Sequence, residues 1–170
     1  MTNDTGLELV GGWPGIYWDD WMRGPEVRKG RQCVFPEVSR TFTFGAQGTS
    51  GGQFYKDHLI HMALNRHLID WEAEDISYLQ TDKYDKALAA RVNAATTITP
   101  DQIPGMPHGK DARVTYADEK AFEKIAKDRL KGIMQDARGG VQRASYKGVV
   151  QVKHNGAVLF LVPASYTGTL

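Results

Sequence analysis

The sequence predicts an α/β protein whose C-terminal part is a small β-α-β-β lobe. Residues 112–117 alternate apolar and polar side chains as a half-buried strand does, and Asp118 after them is a typical helix N-cap. The β-rich runs 148–152 and 157–161 flank Asn155-Gly156. Because Asn-Gly between two such runs is the strongest short hairpin signal, the last two strands are expected to form a β-hairpin.

The helix of this lobe is expected to begin after Asp118. Its apolar residues fall mostly on one face and comprise Phe122, Ile125, Ala126, Ile133 and Met134. The lobe, residues 111–170, has only about 60 residues, a size at which a core alone is marginal.

The N-terminal part is expected to begin with a glycine-rich loop at 6–15. A strand at 39–44, a glycine-rich loop at 45–52 and a helix from 54 to about 67 then follow. A second amphipathic helix is expected at 82–94, where Tyr84, Leu88, Ala89 and Val92 recur at helical spacing.

The best internal boundary lies at 95–110, where three prolines and two glycines are expected to break any regular element. The chain is therefore divided into an N-terminal part at 1–94, a linker at 95–110 and the lobe at 111–170.

Charge and hydropathy exclude several partner classes. The 170 residues carry 21 Lys and Arg against 20 Asp and Glu, so no concentrated basic field indicates nucleic acid or an anionic membrane surface. The longest apolar runs, such as 158–162, are much shorter than the roughly 20 residues that span a bilayer. Because the opening residues also lack the pattern of a signal peptide, no membrane span or secretory signal is expected within the sequence.

The single cysteine, Cys33, leaves three interpretations open. It is a buried small hydrophobe, a reactive thiol, or half of a disulfide to something outside this chain. Residue statistics favour the buried interpretation.

The densest candidate site is Trp18-Asp19-Asp20-Trp21. Aromatic faces contact the C–H groups of a sugar and carboxylates accept from its hydroxyls, so this composition suits a carbohydrate site with one Asp as general base. Adjacent residues point in different directions, so only one Asp can reach the reacting centre. The alternative is that Asp19 or Asp20 caps a short helix and the tryptophans fill the core.

Three further patterns carry weaker signals. The loop 45–52 could cradle a phosphate, although it matches no phosphate-binding motif, and a plain loop is the favoured alternative. His58, His61 and His67 share one predicted helix without the carboxylate of a zinc motif. The acidic residues within 72–75 could hold Mg²⁺ or Mn²⁺, or could form a solvated helix start; they are Glu72, Glu74 and Asp75.

One continuous stretch resembles a known family. The residues that carry it are Trp18-Asp19-Asp20-Trp21-Met22-Arg23, Pro25-Glu26, Arg28, Gly30-Arg31, Cys33, Pro36-Glu37, Ser39-Arg40-Thr41, Thr43-Phe44-Gly45, Gly48, Ser50, Gly52-Gln53-Phe54 and His58-Leu59. They resemble the C-terminal half of glycosyltransferase family 13, the N-acetylglucosaminyltransferase I family. The similarity continues more thinly to Gly148 and covers most of the chain from Trp13 onward. The protein O-mannose N-acetylglucosaminyltransferases of the same family are the nearer alternative.

The resemblance implies the C-terminal part of a glycosyltransferase-A type fold, with a remnant of a mixed sheet, and it makes residues 1–94 the C-terminal part of the catalytic domain. It also implies a location on the lumenal side of the Golgi membrane. It implies inverting transfer of N-acetylglucosamine from UDP-GlcNAc to the 2-hydroxyl of a mannose on a glycoprotein acceptor, with Mn²⁺ holding the diphosphate. Asp19 then matches the catalytic base and Trp18 lines the donor pocket. The loop that closes on the donor would include Gly45, Gly48 and Ser50.

The resemblance also gives Cys33 a role, as the partner of a cysteine in the preceding, nucleotide-binding half. That half, its acidic metal motif and its membrane anchor have no counterpart in these residues, so the metal ligands are expected outside this chain. The chain is therefore expected to be a fragment or truncated product, with an apolar seam exposed where the other half would pack. A non-catalytic lobe that binds glycans or a partner transferase, and an inactive remnant, are the other hypotheses.

Overall fold

A five-stranded mixed sheet organises the C-terminal part of the chain. The computed structural model describes residues 18–42, 46, 51–52, 55–130, 133–138 and 141–170, with the side chains of residues 18–20 and 138 left out. The strands are β1 (Thr96–Thr97), β2 (Ala112–Tyr116), β5 (Ser145–Tyr146), β6 (Val149–His154) and β7 (Ala157–Pro163), in the sheet order β1-β2-β7-β6-β5. Strands β3 (Ala137–Arg138) and β4 (Val141–Gln142) form a separate antiparallel pair.

The predicted hairpin is confirmed. Strands β6 and β7 pair antiparallel, with Val152 opposite Leu159 and His154 opposite Ala157. Asn155 and Gly156 between them have φ of 48° and 75°. Two consecutive left-handed residues are what a type I′ turn requires, and Asn-Gly adopts that conformation at little cost.

Strand β7 is the centre of the sheet and is buried on both faces. It pairs parallel with β2 on one side and antiparallel with β6 on the other. Its side chains alternate between two core clusters: Leu159 and Leu161 lie in one, and Val158, Phe160 and Val162 lie in the other. The continuous apolar run of β7 thus reflects a strand covered on both sides.

Two longer helices supply these two layers. Helix α3 (Thr81–Ala94) packs Leu88 and Val92 into the cluster that contains Phe160. Helix α4 (Glu119–Arg129) packs Phe122 and Ile125 into the cluster that contains Leu159. The part of the chain from Thr81 onward is therefore a helix–sheet–helix sandwich, which confirms the mixed α/β class.

Helix α4 begins where the sequence predicts and ends earlier. The side chain of Asp118 accepts from the backbone N–H of Ala121 at 2.8 Å, as an N-cap does. The helix ends at Arg129, and Leu130 takes an extended conformation that buries its side chain in the core. The prediction that Ile133 and Met134 continue the helix is wrong, because burial of Leu130 redirects the chain before they are reached.

The helix predicted from 54 to about 67 is also wrong. The described part of this stretch has a turn at 55–58 and a short 3-10 helix, Leu59–His61, with no regular element from 62 to 67. Ile60 and Met62 are exposed. An amphipathic helix is stabilised mainly by packing of its apolar face, and here that face has no core to cover.

The strand predicted at 39–44 is not formed at 39–42, and residues 43–44 lie outside the described residues. Ser39 makes one backbone contact, accepting from the N–H of Asn65 at 2.7 Å. A β-favouring sequence without a neighbouring strand to complete a ladder does not form a sheet. The loop predicted at 6–15 also lies outside the described residues.

The segment 95–110 contains regular structure, contrary to the prediction. Thr96–Thr97 form β1, and Pro100–Gly105 form a 3-10 helix that buries Ile103 completely. Proline at a first helical position favours helix initiation, because the N–H that it lacks would have no partner there. Residues on both sides of the predicted boundary share one core, and the assignment of 1–94 to a catalytic domain stays a prediction.

Candidate functional site

The tryptophan–aspartate motif lies on a short helix. Helix α1 (Trp18–Arg23) is followed by the turn at Gly24 and by helix α2 (Pro25–Arg28). Asp19 is thus inside α1 rather than ahead of it, so the alternative that Asp19 caps this helix does not fit its position. The side chains of Trp18, Asp19 and Asp20 lie outside the described part of the structure.

The turn between α1 and α2 explains the local sequence. Gly24 is buried, and its N–H donates to the carbonyl of Trp21 at 3.1 Å. Added at this position, a Cβ would lie 3.3 Å from that carbonyl oxygen, so glycine fits best. Pro25 then begins α2 at a position that needs no N–H donor.

Arg23 connects α1 to the C-terminal lobe. A guanidinium nitrogen of Arg23 lies 3.1 Å from Oδ2 of Asp136. Arg143 binds the same carboxylate with two nitrogens, Nε 2.8 Å from Oδ1 and a terminal nitrogen 2.9 Å from Oδ2. The backbone N–H of Arg143 also donates to the carbonyl of Asp136 at 3.1 Å, which adds a hydrogen bond at the open end of the β3–β4 pair.

The electrostatics of this group favour an ionised carboxylate. Burial alone would raise the pKa of Asp136, but hydrogen bonds from Arg143 and Arg23 and their positive charges lower it below its usual value. The guanidinium groups of Arg23 and Arg143 therefore share the carboxylate of Asp136. Arg23 and Asp136 are 113 positions apart in the sequence. Charge-assisted contacts of this kind are directional, and a bidentate arginine fixes the carboxylate in one plane.

Gln32 makes a second link from the motif-bearing segment to the lobe. Its side-chain oxygen accepts from the backbone N–H of Lys147 at 2.8 Å and from Arg28 at 3.0 Å. Lys147 in turn donates from Nζ to Asp85 at 2.8 Å, and the hydroxyl of Tyr146 donates to the same carboxylate at 2.8 Å. Burial, followed by the neighbouring carboxylate, raises the pKa of Tyr146 to about 12, so this hydroxyl stays a donor.

A third link is weaker. Nζ of Lys153 on β6 lies 3.5 Å from a carboxylate oxygen of Glu37, and both side chains are exposed. Together the three links dock residues 23–37 along the lobe through polar groups. Sequence reasoning missed this docking. Arg23 and Glu37 belong to the motif that indicates the family, and no sequence pattern marks Asp136.

Cys33 is exposed and is not in a disulfide within this chain. The residue-statistics interpretation as a buried small hydrophobe is therefore wrong. The next two residues, Val34 and Phe35, are also exposed, so this stretch supplies no apolar core that could enclose the thiol. The reactive thiol and the disulfide to a group outside the chain stay predictions.

The donor-loop residues Gly45, Gly48 and Ser50 lie outside the described residues. So does most of the 45–52 loop, and its predicted roles stay predictions.

The described residues do not assemble a metal site. Among them no three His, Cys, Asp or Glu side chains come together. Asp75 accepts from the N–H and hydroxyl of Ser77 at 2.8 and 3.2 Å, and these bonds lower its pKa. Asp70 likewise accepts from the N–H of Glu72 at 3.2 Å. Asp75 and Asp70 thus stabilise local turns, and no helix begins within 72–75, so the alternative of a solvated helix start is not what the structure shows.

Apolar side chains are distributed unequally along the chain. Among the described residues, every buried hydrophobic residue is Leu88 or later. The large hydrophobic residues that are exposed all precede Thr81, and they include Trp21 (42% exposed), Trp71 (57%) and Leu68 (92%). The alternative that the motif tryptophans fill the core is wrong for Trp21.

No helix among the described residues has the length and apolar character needed to cross a bilayer.

Comparison with known proteins agrees with the motif. The sequence model of the GNT-I family matches residues 1–169. The alpha-1,3-mannosyl-glycoprotein 2-beta-N-acetylglucosaminyltransferase of Arabidopsis thaliana is 41% identical over 152 residues, which cover 88% of this chain and 34% of the relative. The chain thus spans about a third of the length of this curated relative. Because the family model matches the chain over nearly its whole length, the chain belongs to the GNT-I family.

Proposed function

We propose that this chain carries the catalytic base and the acceptor-side part of an inverting N-acetylglucosaminyltransferase. The donor is UDP-GlcNAc, the acceptor hydroxyl is the 2-hydroxyl of a mannose on a glycoprotein, and the reaction takes place on the lumenal side of the Golgi membrane. The observation that carries this proposal is the family match across 1–169, which includes the Trp18–Arg23 helix. A complete glycosyltransferase-A type fold is part of the same proposal.

The chemistry requires one base in this chain. Inversion in a single displacement forms a bond from the acceptor oxygen to the anomeric carbon while the bond from that carbon to UDP breaks. The acceptor hydroxyl must lose its proton as it attacks, and the carboxylate of Asp19 accepts it. UDP departs with the electron pair of the broken bond. Trp18 would border the donor sugar, and closure of the loop with Gly45, Gly48 and Ser50 would exclude water that could hydrolyse the donor.

The Mn²⁺ that the resemblance implies does not fit the described residues, since no group of ligands is assembled among them. When bound elsewhere, such an ion would stabilise the diphosphate of the leaving group.

The test compares two adjacent aspartates in the native protein that contains this chain. We expect Asp19→Asn to abolish transfer, a loss of at least about a thousandfold in kcat, with binding of UDP-GlcNAc retained. Asp20→Asn is the matched control and should lose far less, because adjacent side chains cannot both reach the reacting centre. Equal losses at the two positions would contradict the assignment. Assays with a mannose-terminated N-glycan and with an O-mannosyl peptide identify the acceptor class.

A second candidate is a lobe that binds glycans without catalysis. The exposure of Trp21 and Trp71 favours it, since exposed aromatic rings can stack on sugars. Calorimetry with mannose-rich glycans in the absence of nucleotide distinguishes the two. Strong binding supports the non-catalytic lobe, whereas a transferase that seats its donor first shows weak or no acceptor binding.

A further inference from the structure

Helix α1 is too short to hold its own orientation. It has six residues, and isolated helices of that length are not stable in water. Trp21 and Met22 on this helix are exposed, at 42% and 52%, so the helix is not held by burial of its described apolar side chains. Its orientation must therefore come from other contacts.

One contact that links this helix to the lobe is the ion pair of Arg23 with Asp136. The Arg23 side chain is only 22% exposed, although it belongs to a surface helix. Arg23 lies four positions after Asp19, so helix geometry places the two residues on the same side of α1. A contact that fixes Arg23 thereby fixes the direction in which this side of α1 faces.

Asp136 is itself held rigidly. Arg143 binds it through both oxygens, and the backbone N–H of Arg143 donates to its carbonyl. The residue before Arg143, Gln142, is buried, and its side-chain oxygen accepts from the hydroxyl of Tyr116 at 3.2 Å. The carboxylate that binds Arg23 is thus held in place by Arg143, which is adjacent in sequence to a buried residue of the lobe.

We propose that Asp136 is a positioning residue for catalysis: through Arg23 it sets the orientation of helix α1 and so places Asp19 against the acceptor hydroxyl. This inference rests on the proposed function. It gives the C-terminal lobe a role in the reaction, as the rigid support of the base. The distance dependence of proton transfer and attack makes such a support important, since a displacement of about 1 Å can cost about a hundredfold in rate.

The test uses the native protein that contains this chain and measures kcat per donor-binding site, with sites counted by calorimetric titration of UDP-GlcNAc. Asp136→Asn should lower kcat about tenfold or more, with the KM for UDP-GlcNAc unchanged within about twofold. Asp136→Glu keeps the charge and should restore kcat to within about threefold of the unaltered protein. Counting only sites that bind donor removes any contribution from unfolded protein.

Arg23→Gln is a second variant that leaves the Asp136 and Arg143 pair intact, so it tests the link even where Asp136→Asn folds poorly. The double variant with Asp136→Asn should lose no more than about twofold beyond Arg23→Gln alone, because Arg23→Gln has already removed the link. Asp111→Asn is the matched control: Asp111 also accepts from an arginine, Arg91, at 2.8 Å, and among the described residues neither of the two has a hydrogen bond or ion pair with α1. Its kcat should stay within about twofold of the unaltered protein.

The outcomes separate this inference from the proposed function. A normal kcat in Asp136→Asn, multiplied losses in the double variant, or an equal loss in Asp111→Asn overturns the positioning role while leaving the base assignment intact. If the unaltered protein transfers no sugar, or Asp19→Asn keeps its activity, the proposed function fails and this inference fails with it.

Discussion

Removal of residues 1–80 should leave a folded domain, whereas removal of residues 1–110 should not. All buried hydrophobic residues among the described ones lie at or after Leu88, so a chain of residues 81–170 keeps its complete core. It loses the three polar links made by Arg23, Gln32 and Glu37. Partly exposed ion pairs and hydrogen bonds of this kind contribute at most about 1 kcal/mol each, so the free energy of unfolding should fall by about 1–3 kcal/mol.

The shorter chain, residues 111–170, removes part of both core clusters. It loses six buried residues: Leu88, Ala89, Val92, Ala95, Ile103 and Met106. The four larger ones are worth about 1.5–3 kcal/mol each, or about 6–12 kcal/mol together. This loss is comparable to the whole stability of a typical domain, about 5–15 kcal/mol. The chain of residues 111–170 should therefore be unfolded in water.

Urea unfolding followed by far-UV circular dichroism checks both chains, because all four tryptophans precede residue 81 and provide no signal. The chain of residues 81–170 should show a cooperative transition, and residues 111–170 should show none. A chain of residues 81–170 without a transition would refute the reasoning, since a hydrophobic contribution from residues 1–80 would then be essential. A folded chain of residues 111–170 would equally refute it.

The remaining predictions concern single residues. Phe122 is fully buried, and Phe122→Ala should lower the free energy of unfolding by about 3–5 kcal/mol. Phe42 is 52% exposed, and Phe42→Ala should lower it by less than about 0.5 kcal/mol. The midpoints of urea unfolding curves, compared at the same dependence of free energy on urea concentration, measure both changes. Burial raises the pKa of Asp111, but hydrogen bonds from the N–H of Val158 and from Arg91, and the charge of Arg91, lower it below its usual value. Because the pKa is lower in the folded state, stability from Asp111 is present above the unfolded pKa of about 3.9 and is lost as the pH falls through the folded value. Melting temperatures between pH 6 and pH 2 should therefore fall less in Asp111→Asn than in the unaltered chain, and identical pH profiles would contradict this assignment.

The family itself could be recognised from the sequence, and the structure adds how its motif is supported. The motif residues follow one another closely in the sequence, so they can be recognised without a structure. The match of the family model over 1–169 confirms the family that they indicate. Asp136 is far from the motif in sequence, and the residues next to it form no recognisable functional motif. Its position opposite Arg23 depends on how the lobe packs, which short-range signals do not encode.

Local signals by themselves determined several elements of this protein. Asn155-Gly156 specified the hairpin because only residues that accept left-handed conformations form that turn, and Asp118 specified a helix start because its side chain caps one. Tertiary packing alone decided the rest. The apolar spacing at 54–67 predicted a helix that does not form because it has no core to cover, and Pro100 began a 3-10 helix within a predicted linker because Ile103 could be buried. The periodicity of apolar side chains indicates which residues could be buried on one face. Whether another part of the protein covers that face depends on the tertiary structure.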